Sequence, residues 1–560
     1  MAEEVNFTKD GTVDYKSQPA NKKKTGTWKA CLFILGNQFC ERLAYYGMSS
    51  NLLLYFTNQL NQHRTNFVMP LVGAFLADAY LGRYWTIASL SIIYLIGMTL
   101  LTLSASIPGL RPTCHKKDVC DATGYQTTVC LVALYLVALG TGGIKPCVSS
   151  YGADQFDDAD EVEKGRKSSF FNWLYFCINI GAVIGSSFLV WIQVNIGWAW
   201  GFGVPTIAVA VSVAFFLLGT QLYRYQKPGG SPLTRVSQVV MASLRKYHVK
   251  VPEDRSILYE TQDAESLIVG SRKLEHTEEF RFFDKAAVEI PSDHTDNSNS
   301  INPWRLCTVT QVEELKGIVR LLPVWATCII FNTVFGQMWT LFLLQAEYMD
   351  IRLGKSGFKI PEASLSTFDH LGVILWIPIY DRFIVPIARK FTGHKNGLTQ
   401  LQRIGAGLFI SIFAMISAAI LEIFRLRIVK KHNMRNVKTP PISVFWQVPQ
   451  YFIIGCAEVF TNIGRIEFFY EEAPDSLRSL CSALSLSTAA LGSYLSSLLV
   501  TIVMDISTRS GKEGWISDNL NCGHLHYFFL LLAVLSAVNL AVFVLVAKRY
   551  THKRAVGTLR

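Results

Sequence analysis

The feature that most constrains this chain is a set of apolar stretches that are too long and too poor in charge for a soluble fold. The longest spans residues 168–223 and contains no Asp, Glu, Lys or Arg. The stretches at 321–346 and 480–504 are also free of these residues. A helix needs about 20 apolar residues to cross a bilayer, so the longest stretch holds two such helices, with a break near Gly197.

Composition supports a membrane protein and argues against soluble classes. Hydrophobic residues make up 50% of the chain and charged residues only 17%, and the mean hydropathy is +0.27. Soluble domains carry about 25% charged residues. The formal net charge is +11, but the basic residues lie beside apolar segments and can face lipid headgroups, so we expect no nucleic-acid partner. The sequence has no metalloprotease, phosphate-loop or hydrolase-elbow motif, so we expect no enzyme activity.

The apolar pattern predicts twelve membrane helices in two sets of six. They are expected at residues 30–56, 67–81, 85–103, 128–150, 169–192, 198–223, 319–345, 365–385, 404–421, 442–469, 480–504 and 525–547. Six helices, a long polar linker and six more helices form the arrangement of a transporter built from two bundles. The predicted fold class is an all-α membrane protein with two six-helix bundles around a central cavity.

The polar segments define the predicted organisation. Residues 1–27 are expected to form a cytosolic N-terminal tail, because they are polar, basic near residues 22–24 and unlike a secretory signal. The bundles occupy 28–223 and 318–547, the cytosolic linker 224–317 is solvated with at most one helix, and 548–560 form a cytosolic C-terminal tail. Among the twelve Cys, Cys114 and Cys120 share a short loop and are either paired or free.

Charged residues inside the expected helices point to functional positions. An ionisable group at a helix centre costs at least about 2.5 kcal/mol, so it is retained where it pairs or faces water. In helix 30–56, Gln38, Glu41, Arg42 and Tyr45 share one helix face. We expect this face to point into the bundle, where Glu41 and Arg42 have either a functional or a purely architectural role.

Helix 128–150 carries Lys145 in the sequence GTGGIKP at 140–146. Its glycines allow close approach of a neighbouring helix. A lysine in this position either pairs with an acid, for which Glu41 is the expected partner, or extends its side chain to the membrane interface.

Two helices of the second half carry polar faces. In helix 442–469, Glu458 and Arg465 lie two turns apart on one face, and Arg465 either shares the buried face or lies near the cytosolic end. In helix 319–345, Thr333, Gln337 and Thr340 either line a cavity or form hydrogen bonds between helices.

Charged residues also follow the second helix of each half. An acid and basic residues at a helix end either latch neighbouring helices or are ordinary interfacial charges. The expected gating or structural residues are Gly73, Asp78, Gly82, Arg83, Asp381 and Arg382.

At these residues the chain resembles the proton-dependent oligopeptide transporter family, in its plant nitrate/peptide branch, within the major facilitator superfamily. The resemblance extends over nearly the whole chain. It is carried by ERLAYYG at 41–47, residues 73–85, residues 140–158, FNWLYFCINIGA at 171–182 and EFFY at 467–470. The linker segment GSRKLEH at 270–276 resembles the di- and tripeptide subgroup.

The resemblance implies a twelve-helix major facilitator fold and proton-driven alternating access. It implies that Glu41, Arg42 and Lys145 couple protons, and that no other cofactor is needed. The substrate-binding residues expected from the family and the charge pattern are Arg42, Tyr45, Tyr46, Lys145, Gln337 and Glu458. Glu458 is expected to face a substrate amino group, while Arg42 and Lys145 attract its carboxylate.

The chain departs from the family pattern at three places. Gln38 stands where the family has Glu, and glutamine cannot accept a proton in the relevant pH range. The segment 61–66 is shorter than in relatives and leaves a short second helix. This shortening reflects a splice variant, a faulty gene model, or a helix that is truly shorter than the bilayer thickness. Arg465 replaces the usual Gln. In addition, Phe335 stands where the family has a nitrate-binding His.

The leading functional hypothesis is proton-coupled symport of di- and tripeptides in the plasma or vacuolar membrane. The alternatives are transport of nitrate or another small organic anion such as a plant hormone, and a non-transporting membrane receptor. The expected partners are a small-molecule substrate and the lipid bilayer, and the sequence names no protein partner.

Overall fold

The computed structural model describes residues 7–55 and 82–553, except 9–10, 112, 117–118, 122, 158–159, 227–231, 255–256, 261–272, 296–297, 353–361, 394–396, 436, 438–439, 510–512 and 518. The expected helix 67–81 lies outside these residues, as do Gly73 and Asp78. Each of the other expected membrane helices has a helical counterpart. Within the described residues, nine helical stretches are long and apolar enough to cross a membrane.

The described residues of the first half form helices joined by loops, one of which contains a short hairpin. Gly197, with a φ of 132°, turns the chain between its last two helices, at the break expected there. A π-helical turn, Gly185–Leu189, connects α4 to α5. The helices are α1 (Thr27–Tyr55), α2 (Gly82–Ser106), α3 (Gly124–Ala153), α4 (Glu161–Ile184), α5 (Val190–Asn195) and α6 (Trp198–Leu218).

The hairpin between α2 and α3 consists of β1 (Thr113–Lys116) and β2 (Val119–Asp121). Its antiparallel register pairs Cys114 with Cys120. A disulfide between them stays a prediction.

The linker and the second half add nine α-helices within the described residues. They are α7 (Pro232–Arg245), α8 (Val309–Phe335), α9 (Leu341–Glu347), α10 (Thr367–Ile379), α11 (Val385–Thr392), α12 (Gln400–Lys431), α13 (Val448–Glu471), α14 (Arg478–Thr508) and α15 (Leu525–Arg549). A 3-10 turn, Gly336–Trp339, precedes α9, and a π-helical turn, Tyr380–Ile384, joins α10 to α11. A second small hairpin, β3 (His294–Thr295) and β4 (Ser298–Ile301), lies in the linker.

The linker is more structured than expected, and α8 begins at Val309 rather than at residue 319. Thr308 caps the helix by accepting a hydrogen bond from the backbone of Gln311. The charges of the added turns also find partners, since Lys316 pairs with Asp284 of the linker at 2.7 Å and with Glu313 at 2.9 Å. The expected boundary between 317 and 318 therefore falls inside a helix, and the division into domains stays a prediction.

Helix α12 continues to Lys431, although the apolar pattern placed its end at residue 421. The next turn carries Glu422 and Arg425, which have 0% exposure and pair at 2.7 Å. Asn521 accepts a further hydrogen bond from Arg425 at 2.5 Å. Because the charges neutralise each other, the helix can extend without exposing either charge to lipid.

The helices pack as two bundles that meet along a shared face. In the first bundle α1 packs on α4 and α6, and α2 packs on α3 and α6; in the second α12 packs on α13 and α15, and α8 packs on α14. A Cβ at Gly140 of α3 would lie 2.6 Å from the Cβ of Tyr94 on α2, so glycine permits the close approach expected there. Contacts between α4 and α10 and between α3 and α14 join the bundles.

Candidate functional site

The interface between the bundles contains a cavity of about 820 Å³. Helices from both halves line it, so its walls belong to two separate units of the fold. The polar and charged side chains that line it include Gln38, Arg42, Tyr45, Tyr46, Lys145, Tyr175, Asn332, Glu458, Asn462 and Arg465. The structure thus brings together five of the six residues expected to bind substrate.

The first wall of the cavity is the polar face of α1. Arg42 Nε lies 3.0 Å from Glu41 Oε2, and Gln38 Nε2 donates to the same oxygen at 2.8 Å. Glu41 is 1% exposed and lies behind the lining residues Gln38 and Arg42. The residues share one face as expected, and the roles of Glu41 and Arg42 in proton coupling stay predictions.

Lys145 lies on α3, across from this face, and its contact differs from the expected one. Its Nζ lies 3.5 Å from the ring centroid of Tyr45, and the guanidinium of Arg42 lies 5.7 Å from the same ring. The expected partner of Lys145, Glu41, pairs with Arg42 instead. A cation over an aromatic ring is partly stabilised while its charge remains available to a ligand.

The second wall is formed by α13 and holds the acid Glu458. The Tyr175 hydroxyl of α4 donates to Glu458 Oε1, and Asn462 Nδ2 donates to the same oxygen at 3.1 Å. Asp369 of α10 is 0% exposed and lies close to Glu458, and neither of its carboxylate oxygens has a hydrogen-bond partner among the described residues. Two buried carboxyl groups therefore lie side by side here, and the pair is a second acidic centre in addition to Glu41.

Arg465 also lines the cavity, which decides between the two positions that the sequence left open for it. Its side chain is 4% exposed, and its Nη1 donates to Thr488 of α14 at 2.6 Å. It therefore shares the buried face with Glu458 rather than lying at the end of α13.

Gln337 is the expected substrate-binding residue that the structure places elsewhere. Its side chain is 0% exposed, does not line the cavity, and donates to Ser496 of α14 at 2.8 Å and to the carbonyl of Thr333 at 2.7 Å. The hydrogen bond to α14 agrees with the alternative expectation that the polar residues of helix 319–345 form hydrogen bonds between helices. Phe335, two residues earlier, does line the cavity.

The bundles are also tied together near the ends of α3 and α13, at a group of contacts that we call the latch. Arg83 pairs with Asp154 after α3 and donates to Ser479 of α14 at 2.8 Å. The Tyr470 hydroxyl donates to Asp154 at 2.6 Å, and Arg478 Nη1 lies 3.3 Å from the same carboxylate. Asp154 of the first bundle thus joins two residues of the second, and Arg83 beside it joins a third.

The other expected gating residues lie near this end of the bundles. Asp381 accepts a hydrogen bond from Asn172 of α4 at 2.6 Å, which is another contact between bundles, whereas Arg382 is exposed. Gly82 begins α2 with a φ of 73°. Gating by these residues stays a prediction.

Sequence reasoning missed Asp369, Asp154 and Tyr175. Asp369 carried a usable signal, since an acid inside the apolar stretch 365–385 should be expected to face a cavity or a partner. Asp154 follows α3 as an ordinary polar residue, and Tyr175 lies among other aromatic residues, so neither is distinguished by its sequence position.

Two helical bundles that enclose a charged cavity at membrane depth define a transporter of small solutes. The family model described as POT family matches residues 84–516. Protein NRT1/ PTR FAMILY 8.1 of Arabidopsis thaliana is 60% identical over 569 residues, with 100% of both chains covered. Protein NRT1/ PTR FAMILY 8.2 of the same plant is 61% identical over 563 residues, with 98% of both chains covered. The chain belongs to the POT family.

Solved structures agree with this assignment at the level of the fold. An auto-inhibited POT family peptide transporter is 21% identical and aligns with a TM-score of 0.60, covering 95% of this chain and 99% of that one. The expected helical transporter fold is confirmed. Because the chain belongs to this transporter family, the protein is a multi-pass membrane transporter and not an enzyme, as predicted.

Proposed function

We propose that this chain is a proton-coupled symporter that carries di- and tripeptides by alternating access. The observation that carries the proposal is the distribution of charge across one cavity, with Arg42 and Lys145 on the first bundle and Glu458 on the second. A peptide bears a carboxylate at one end and an ammonium at the other. Opposite charges on the two walls orient such a zwitterion across the interface between the bundles.

The size and surface of the cavity suit a short peptide. About 820 Å³ falls within the range of roughly 300–1,000 Å³ that is usual for small-molecule sites, and an extended dipeptide spans roughly 7 Å. Tyr45, Tyr46 and Trp339 add aromatic surface to the lining. Fixed charges for the two termini, with aromatic surface between them, favour peptides of varied sequence.

Proton coupling is proposed to act through the Glu41–Arg42 pair. Gln38 cannot take up a proton in this pH range, so Glu41 is the acid on this face. Protonation of Glu41 removes its attraction for Arg42 and frees the guanidinium for the substrate carboxylate. Lys145 supplies the second cation, and protons are the coupling ion.

Alternating access requires the latch to open. While Tyr470 and Arg478 contact Asp154, and Arg83 donates to Ser479, the bundles stay together at that end of the cavity. Release of these contacts lets the bundles rock and opens the cavity on that side, which we take to be cytosolic.

Transport of a small anion is the second candidate, because two cations of the lining favour negative charge. Neither Lys145 nor Arg465 has a carboxylate within salt-bridge distance in the part of the chain that is described. Phe335 argues against nitrate, since it offers neither a charge nor a hydrogen bond where the family has its nitrate-binding His.

Uptake of labelled Ala-Ala into proteoliposomes, with and without an inward proton gradient, tests the proposal. We expect accumulation that needs the gradient, is lost in Glu458→Gln and persists in the matched control Glu347→Gln, whose residue is exposed. No uptake above empty liposomes contradicts peptide transport, and binding without flux favours a receptor. Uptake that does not depend on the proton gradient contradicts proton coupling but supports peptides as the substrate. Competition by nitrate or a hormone favours transport of a small anion.

A further inference from the structure

Arg465 brings a cation into the cavity that the peptide termini do not require. Its side chain is 4% exposed, and Thr488, which accepts from its Nη1 at 2.6 Å, is a neutral partner. Its Nε has no hydrogen-bond partner among the described residues. A guanidinium that is buried with so few partners is poised to bind an anion.

Glu458 forms no ion pair with this guanidinium among the described contacts. It lies two helical turns away along α13, about 10 Å of helix rise. One of its oxygens accepts from Tyr175 of α4 and from Asn462 of α13. Its hydrogen bonds are therefore made with α4 and within its own helix, and it acts on Arg465 only through space.

The charged residues of the described lining leave an excess of positive charge. They are Arg42, Lys145, Arg465 and Glu458. Arg42 is balanced by Glu41 at 3.0 Å, and Glu458 is available to one substrate ammonium. Lys145 and Arg465, on opposite bundles, then remain for two negative groups.

Helix α14 adds hydroxyl groups beside Arg465. Ser485 lines the cavity, is 1% exposed, and its Oγ has no hydrogen-bond partner among the described residues. It lies one turn before Thr488, which holds the guanidinium. A guanidinium with a neighbouring free hydroxyl is a donor set suited to a carboxylate.

We propose that Arg465, with Ser485, forms a subsite for the side-chain carboxylate of an acidic peptide. The proposal rests on the peptide transport proposed above and narrows its substrate class. An Asp- or Glu-containing dipeptide has one ammonium and two carboxylates, which match Glu458, the Arg42–Lys145 wall and Arg465. A lysine side chain in the same place would meet a like charge and is disfavoured.

The test compares substrates that differ only in charge. Ala-Glu and Glu-Ala are measured against Ala-Gln and Gln-Ala in proteoliposomes at pH 6.5, where the glutamate side chain is ionised. We expect the wild-type protein to favour the acidic member of at least one pair in kcat/KM by about tenfold, as a charge-assisted hydrogen bond allows. Arg465→Gln should bring that ratio close to one, and Arg465→Lys should retain much of it.

Arg427→Gln is the matched control, because Arg427 is an exposed arginine of α12 that does not line the cavity. If the wild-type protein has equal kcat/KM for Ala-Gln and Ala-Glu, and also for Gln-Ala and Glu-Ala, the subsite proposal is wrong. The proposed peptide transport is then unaffected. An unchanged ratio in Arg465→Gln leads to the same conclusion. If no peptide is transported at all, the proposed function itself is wrong. If Arg465→Gln fails to fold, the ratio of kcat/KM values in the wild-type protein alone tests the subsite.

Discussion

The charged residues inside the helices form two groups, which differ in whether their partners are charged or neutral. Glu422 and Arg425 satisfy one another and are 0% exposed, with Asn521 and the carbonyl of Leu520 accepting further hydrogen bonds from Arg425. Lys145 and Arg465 line the cavity, and their described contacts are neutral. The first pair stabilises the second bundle, whereas the other two residues present charge to a solute.

Removing one member of the internal pair should therefore destabilise the protein. Arg425→Met leaves Glu422 buried and unpaired, which costs about 3–5 kcal/mol. We expect a clear fall in Tm of the detergent-solubilised protein. The double variant Glu422→Gln/Arg425→Met should recover most of it, because no charge is then left alone.

The exposed Arg427 of the same helix provides the comparison, and Arg427→Met should leave Tm unchanged. A single variant Arg425→Met that is as stable as the wild type would show that Glu422 is neutral or solvated in the native protein.

Among the elements, α3 and α14 form the contact that must separate if the cavity opens at the latch. Ser150 Oγ of α3 lies 2.8 Å from Ser482 Oγ of α14, and both side chains are buried. Arg83 and Asp154 lie beside this contact and join α2 and α3 to Ser479 of α14. The serine pair is thus a direct reporter of whether this end is closed.

A cysteine pair at these positions should lock the transporter. Hydroxyl oxygens at 2.8 Å place the two Cβ atoms within reach of a disulfide. We expect Ser150→Cys/Ser482→Cys to lose transport on oxidation and to regain it with reductant, while each single variant responds to neither treatment. Unimpeded transport by the fully cross-linked protein would show that the two helices need not separate there.

The C-terminal segment after α15 docks on the end of α13. His552 Nδ1 lies 2.7 Å from Glu472 Oε1, and the backbone of Lys553 donates to Glu472 Oε2 at 2.9 Å. The hydrogen bond to Glu472 raises the pKa of His552 above 6.5, and burial opposes it only in part. The protonated His552 thus helps to hold the segment in place.

Docking of this segment should depend on pH. A raised pKa in the docked state means that the stabilisation is fully present below about pH 6.5 and is lost as pH rises through the docked-state value. Hydrogen exchange of residues 550–553 should be slower in the wild type than in His552→Gln at pH 6, and the two should converge at pH 8.5. An equal difference at both pH values would contradict a role for the charged imidazole.

At the scale of the whole molecule, the sequence predicts the helices well and their partners poorly. Residues 168–223 specify two spanning helices because apolar length is a local property. The face of Gln38 and Arg42 could be placed toward the interior because exposure of charge to lipid is costly. The contact of Lys145 with Tyr45, and the meeting of Asp154 with Tyr470 and Arg478, depend on how distant helices pack, which no local pattern encodes.

The same reasoning explains the errors at helix ends. Charged residues at 313–320 and 422–425 look like breaks in a membrane helix when only the sequence is considered. They continue α8 and α12 because the linker supplies Asp284 to Lys316, and because Glu422 and Arg425 neutralise one another. Sequence periodicity includes neither kind of compensation.

The most direct test of the account is whether the two walls of the cavity bind opposite ends of one substrate. Binding of Ala-Ala, N-acetyl-Ala-Ala and Ala-Ala-amide would be measured by calorimetry on the wild type, Glu458→Gln and Lys145→Gln. Acetylation should weaken binding to the wild type and Lys145→Gln but not to Glu458→Gln, and amidation should weaken binding less in Lys145→Gln, where only Arg42 remains for the carboxylate, than in the other two proteins. If either modification costs the same affinity in all three proteins, the charges do not orient a peptide across this cavity.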